Sequence, residues 1–144
     1  MSEMMTSKPD IIAFAHGGDY IYYGKYWQQW RIWLSHNELT NGKDGRVLPI
    51  IPTRGNHDSG PLYKEIFNVA PDQPDWHTTN LGSDIALVTL DTNVPGGGPQ
   101  SKWLESELKR LRPQSKWLLT QYHRPLYPAA KTAPPHTKIF CPIF

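Results

Sequence analysis

Six side chains in this sequence could do metal and acid–base chemistry together: Asp19, Tyr22, Asn56, His57, Asp58 and His123. Asp19 offers a hard carboxylate able to bridge two cations. Tyr22 offers a phenol of pKa ~10, which ligates only a Lewis acid strong enough to remove its proton; trivalent iron fits better than magnesium or calcium. Asn56 adds a neutral carbonyl oxygen and His123 an imidazole nitrogen, a mixed O/N set that suits Fe, Zn or Mn and not calcium. His57, beside Asn56, could give a hydrogen bond or a proton to a phosphoryl oxygen. Asp58 could orient that imidazole or raise its basicity.

Each residue also has a plain structural role open to it. Asp19 after Gly17-Gly18 fits a turn or a helix cap. Tyr22 fits a packed aromatic, Gly55-Asn56-His57-Asp58 a surface turn, and His123 a strand-end histidine. Asp91 is read as a strand-terminating aspartate that caps the following loop. His16, His36 and His77 are read as structural or solvent-facing, and His136, in a Pro-rich stretch, stays open between the two.

What favours chemistry is where the secondary structure must put these residues. The run Ile11 to Ala15, closed by Gly17-Gly18, predicts a short strand buried on both faces. Lys25 to Leu39 carries Tyr26, Trp27, Trp30, Trp33 and Leu34 at helical spacing, and Asn41-Gly42 ends it. Val47 to Ile51 predicts a second strand, weakened at Pro49 by the missing N–H. A short helix over 61–69 starts at Pro61. Residues 76–80 and 84–90, joined by Leu81-Gly82-Ser83, read as a hairpin. Residues 94–100 are a Pro/Gly loop. Ser101 to Leu111 predicts a helix with Leu104, Leu108 and Leu111 on one face and a Glu105–Lys109 pair on another. Pro113 ends it, Trp117-Leu118-Leu119 forms a last strand, and from Pro125 onward the chain reads as loop.

Strand, helix, strand, helix, hairpin, helix, strand is the order of a layered α/β fold with partly parallel strands. In such folds ligands sit just past the carboxyl ends of the strands. Gly18 to Tyr22, Gly55 to Asp58, Asp91 to Asn93 and His123 to Pro125 all fall there, so the metal-binding side chains cluster at one end of the sheet.

Composition sets outer bounds. The 144 residues are enough for one domain with a core of its own. One cysteine, Cys141, excludes an internal disulfide and a cysteine-rich zinc site. No apolar run reaches the ~18 residues of a membrane span. Residues 1–100 hold 7 Lys/Arg against 11 Asp/Glu, and residues 101–144 hold 8 against 2. The basic residues form no stripe interleaved with aromatics, so a nucleic-acid partner is not expected.

These motifs resemble the calcineurin-like metallophosphoesterase superfamily, and within it the purple acid phosphatase-like branch. Gly18-Asp19-Tyr20-Ile21-Tyr22 matches Gly-Asp-x-x-Tyr, and Gly55-Asn56-His57-Asp58 matches Gly-Asn-His-Glu/Asp. Thr120-Gln121-Tyr122-His123, followed by Arg124-Pro125, matches a strand ending in His, with Thr120 where the family usually has Val. Pro9-Asp10, Asp44-Gly45-Arg46 and Gln100 to Leu104 add to the likeness, which spans residues 8–144, with residues 1–7 expected as a disordered tail.

The resemblance implies an α-β-β-α sandwich and a phosphoester hydrolase of the acid phosphatase type. It implies a dinuclear centre of Fe3+ with Zn2+, Mn2+ or Fe2+, and a metal-bound hydroxide as nucleophile. Asp19 would bridge the ions, Tyr22 would hold the ferric ion, and Asn56 and His123 the divalent one. His57 would assist the phosphoryl group or the leaving oxygen. The family's Asp-x-Gly or Asp-x-His motif upstream and its Gly-His-x-His motif downstream have no counterpart in the sequence. The expectation is therefore a domain truncated at both ends, binding metal weakly and exposing an apolar sheet face prone to self-association. A non-catalytic remnant and a phosphodiesterase of the same superfamily are the alternatives. Relatives are often extracellular or periplasmic; Met1 to Met5 show no signal-peptide pattern.

Overall fold

The structure, a computed structural model, describes residues 8, 10–39, 41–129, 132 and 134–144. The expected tail, residues 1–7, and Pro9 lie outside the described residues. Nine elements follow in chain order: β1 (Phe14–His16), α1 (Trp27–Glu38), β2 (Ile50–Pro52), α2 (Leu62–Ile66), β3 (His77–Leu81), β4 (Ile85–Leu90), α3 (Pro99–Leu111), β5 (Trp117–Tyr122) and α4 (His136–Phe140).

β1 and β2 pair in parallel, Phe14 opposite Ile50 and His16 opposite Pro52, with α1 as the crossover between them. The second sheet has the order β3-β4-β5, in which β4 is antiparallel to β3 and parallel to β5. Helix α3 makes that parallel crossover, as a parallel pair requires. The α/β class and the element order agree with the sequence reading.

Some details differ from it. β1 starts at Phe14, not Ile11, because its partner offers only three residues; Pro49 contributes its carbonyl, which accepts from the Phe14 amide at 2.9 Å. β1 is not buried on both faces, since Ala15 is exposed; among the described residues its sheet has only two strands and nothing covers that side. β5 runs on through Thr120, Gln121 and Tyr122. The apolar pattern alone stops at Leu119, whereas the motif match reaches His123, and the polar residues are tied in: Gln121 Nε2 donates to Thr89 Oγ1 at 2.8 Å and to the Ile51 carbonyl at 3.4 Å. One amide thus links the two sheets. The stretch expected as loop contains α4, which begins after Pro135 and buries Phe140 completely. Proline's fixed φ suits the start of a helix, so a Pro-rich stretch need not stay irregular.

Two cores result. Ala86, Val88 and Leu90 on one face of β4 meet Leu104, Leu108 and Leu111 of α3, with Leu126 and Phe140 closing the cluster. The three leucines recur at the spacing read from the sequence, and each buried one contributes about 1.5–3 kcal/mol. The second core is aromatic: Tyr20, Trp30 and Tyr63 with Trp33, Leu62, Ile66 and Phe67 around them. Trp30 and Trp33 turn inward from α1, while Trp27 stays half exposed. Because Tyr20 belongs to this core, the loop after β1 is anchored from below. On β5, alternate residues Trp117 and Leu119 remain exposed, 59% and 48%.

Candidate functional site

The loop 17–22 leaves β1 through two residues in the left-handed region, Gly18 (φ 91°) and Asp19 (φ 55°). Asp tolerates that region better than most residues, at a cost of roughly 1–2 kcal/mol. The return is a sharp turn that brings the loop against residues 55–58. A Cβ on Gly18 would lie 2.6 Å from the Gly55 amide nitrogen, and one on Gly55 would lie 2.2 Å from both Asp19 N and Asp19 Oδ1. Two backbones therefore touch where only glycine leaves room.

Asp58 stitches them together. Its side chain is fully buried. Oδ2 accepts from the amides of Asp19 (2.8 Å) and Gly55 (2.7 Å), and Oδ1 from the amide of Tyr20 (3.0 Å). Burial pushes this carboxyl above the usual range, and the three N–H bonds pull it part of the way back. The sequence reading gave Asp58 the task of orienting His57. The structure corrects this: both carboxylate oxygens are committed to backbone amides, and the His57 ring is held by the Tyr22 carbonyl, 2.8 Å from Nδ1.

With its carboxyl fixed by that loop, Asp19 faces outward. Oδ1 accepts from the His57 amide at 3.0 Å. Oδ2 lies 3.2 Å from His123 Nε2, and the same Nε2 lies 3.2 Å from Asn56 Oδ1. His123 stands just past the carboxyl end of β5, and its Nδ1 sits 2.8 Å from the Gly17 carbonyl. A carbonyl only accepts, so Nδ1 carries the hydrogen. In the neutral ring Nε2 then presents a lone pair to two oxygen acceptors. Three acceptors facing one point need either a proton on Nε2 or a metal cation among them, and a histidine whose far nitrogen is held by a backbone carbonyl is a common metal-ligand arrangement. Asp19, Asn56 and His123 fit a cation on that ground. They supply one carboxylate, one amide and one imidazole; among the described residues no group of three or more His, Cys, Asp or Glu side chains is placed to hold a metal ion.

Tyr22 stands apart from these three. Its ring packs on Tyr23 (centroids 4.5 Å apart) and His57 (4.8 Å), and it is 64% exposed. It does not line the open cleft of about 860 Å³ that Asp19, Asn56, His57 and His123 border with Arg124, Pro125, Pro128, Ala129, Thr132 and Pro134. Asp91 is the buried end-of-strand aspartate expected of it: Oδ1 accepts from the Asn93 amide at 2.8 Å, and Gln100 clamps its backbone from both sides. His16 stacks on Tyr20 at 4.0 Å and accepts from the Gly18 amide, with burial holding its pKa down. His136, left open by the sequence, meets the Val94 carbonyl at 2.6 Å and packs on Phe140.

Sequence reasoning overlooked three supports. Arg54 pairs with the buried Asp75 at 2.6 Å, the Asn93 amide group donates to the Arg54 carbonyl at 3.0 Å, and buried Thr92 accepts the Arg124 amide at 3.0 Å. The last two fix the residues flanking Gly55 and His123. The sole hint available was that Asp91-Thr92-Asn93 also follows a strand.

A carboxylate, an amide and an imidazole thus meet just past the ends of β1, β2 and β5. The chain belongs to the calcineurin-like phosphoesterase family, whose model matches residues 3–142. The family is one of metal-dependent phosphoester hydrolases that generally use a dinuclear metal site. No curated protein and no solved structure matches the chain.

Proposed function

We propose that this chain hydrolyses phosphate monoesters, as an acid phosphatase-type member of its family with a dinuclear metal centre. The convergence of Asp19 Oδ2, Asn56 Oδ1 and His123 Nε2 carries this reading. Those three side chains would hold a divalent ion, with Asp19 shared toward a second. Tyr22 in Gly-Asp-x-x-Tyr favours the purple acid phosphatase branch and Fe3+ as that second ion. When bound, the cations would polarise the phosphoryl oxygens, activate water and neutralise developing charge.

The protein's own groups do the rest. His57 donates its Nδ1 hydrogen to the Tyr22 carbonyl, so Nε2 is the free nitrogen, which can give a proton to the leaving oxygen only when the ring carries hydrogens on both nitrogens. Asp58 holds the loops that place Asp19 and Asn56 and is a positioning residue. The turn at Gly18-Asp19 presents the carboxyl to the cleft. Three donors are few for two cations, so modest metal affinity is expected of this chain.

The test is equilibrium dialysis against Zn2+ or Mn2+, followed by assay on phenyl phosphate. His123→Gln should weaken metal binding about tenfold or more. His57→Asn should slow hydrolysis about 100-fold while leaving metal affinity close to wild type. Wild-type protein that takes up neither ion, or His123→Gln protein that binds them equally well, would refute the reading.

A further inference from the structure

Arg124 is the one arginine or lysine among the described residues that border the cleft. Its backbone is fixed, because its amide donates to the buried Thr92 hydroxyl at 3.0 Å. Its side chain is exposed and forms no ion pair among the described residues, unlike Arg46, Arg54 and Arg110, each of which holds a carboxylate. Asp19 lines the same cleft, yet it is His123 and not Arg124 that approaches its carboxylate. Among the described residues, no Arg124 nitrogen comes within ion-pair distance of the Asp19 carboxylate. That separation is electrostatically sensible, since a fixed positive charge beside a cation site would weaken it.

Next to Arg124 the described border of the cleft is largely apolar, with Pro125, Pro128, Ala129 and Pro134 beside Thr132. The cleft's volume of about 860 Å³ is far more than one phosphate needs and lies within the range of sites for drug-sized ligands. The parts are thus a polar end at Asp19, Asn56 and His123, an apolar stretch of border, and Arg124, whose side chain has no ion pair among the described residues. An unpaired arginine fork in a concave site is matched to a carboxylate or a phosphate.

We propose that Arg124 is a specificity-determining residue, selecting phosphate esters whose leaving group carries a second anionic group. Resting on the phosphoester reading above, this names the substrate class that reading leaves open. The second anion pairs with the Arg124 guanidinium while the body of the leaving group lies on the proline wall. The reacting phosphoryl group stays at the Asp19 end.

The test compares two probes that differ only in the second anion, phenyl phosphate and para-carboxyphenyl phosphate, with binding read by titration calorimetry on the full chain. Wild-type protein should bind the carboxylated ester about tenfold more tightly, the gain expected of a charge-assisted bond at an exposed site. Arg124→Gln should bring the two affinities together, and Arg124→Lys should keep part of the preference, since lysine retains the charge without the fork. Neither variant removes a side-chain hydrogen bond or ion pair found among the described residues, so unfolding curves should match wild type. If both esters bind and the preference is absent, or survives in Arg124→Gln, the proposal fails and the phosphoester reading stands. If Arg124→Gln weakens both esters equally, Arg124 serves the reacting phosphoryl group and the proposal also fails. If neither ester binds any variant, the phosphoester reading falls and takes this proposal with it.

Discussion

Removing the Asp58 carboxylate should cost the protein stability and not only activity, because its oxygens serve the backbone. Three amides depend on it, those of Asp19, Gly55 and Tyr20, at 2.8, 2.7 and 3.0 Å. In Asp58→Ala all three lose their acceptor. Gly55 and Tyr20 are buried, and each orphaned amide there costs about 1–3 kcal/mol; Asp19 is exposed and its amide can turn to water. Relief of the buried charge offsets a part, which leaves a loss of about 3–4 kcal/mol. In Asp58→Asn the amide oxygen can take the Oδ2 place and keep two bonds, while its NH2 group confronts the Tyr20 N–H. One orphan then remains, about 1–2 kcal/mol. Urea unfolding followed by tryptophan fluorescence reads both values, and a melting point about 10 °C lower is expected for the alanine variant. The order wild type, Asn, Ala is the signature of a backbone clamp. An alanine variant within about 1 kcal/mol of wild type, or an asparagine variant as unstable as alanine, would refute the reasoning.

Two further outcomes follow from the geometry. Gly55→Ala forces a Cβ to 2.2 Å from Asp19 N and Oδ1, so about 3 kcal/mol of stability should be lost together with metal uptake. Gly82→Ala, with φ +79° but open space around it, should cost only about 1 kcal/mol and leave metal uptake alone; equal effects by urea unfolding and dialysis would contradict the close-approach argument. Stability should also fall on acidification below about pH 6.5. Burial lowers the His77 pKa, with Asp75 pulling partly back, so neutral His77 stabilises the fold above its unfolded pKa, and that contribution is lost as pH falls through the lower folded value. His77→Gln should flatten the pH profile of urea unfolding, and an unchanged slope would exclude this source.

Much of this was legible in the residues. The spacing of Leu104, Leu108 and Leu111 defines α3 and the face it buries, and β4 stands out as a continuous apolar run. Asp19, Asn56, His57 and His123 could be placed at one end of the sheets because each follows a strand. What was hidden depends on partners distant in sequence. Thr120 and Gln121 break the apolar pattern of Trp117 to Leu119, and the link Gln121 makes to Thr89 and Ile51 appears only in the folded chain. In Gly55-Asn56-His57-Asp58 nothing local says which polar side chain turns inward; that is decided by the Gly18-Asp19 turn, whose amides wait for an acceptor. Tyr22 follows the motif, but its ring direction is set by contacts with His57 and Tyr23.

The short loop after β1 reaches further than its own carboxylate. Gly17 at its start offers the carbonyl that fixes the hydrogen on His123, and Tyr22 at its end offers the one that fixes the hydrogen on His57. Tautomer choice at the proposed metal ligand and at the proposed proton donor is thus written into a single backbone segment. The two functions cannot be tuned one at a time: any change that rotates this loop moves both imidazoles at once, so substitutions within it and in either histidine should combine non-additively. Improvement of such a site, by selection or by design, has to come from changes outside residues 17–22.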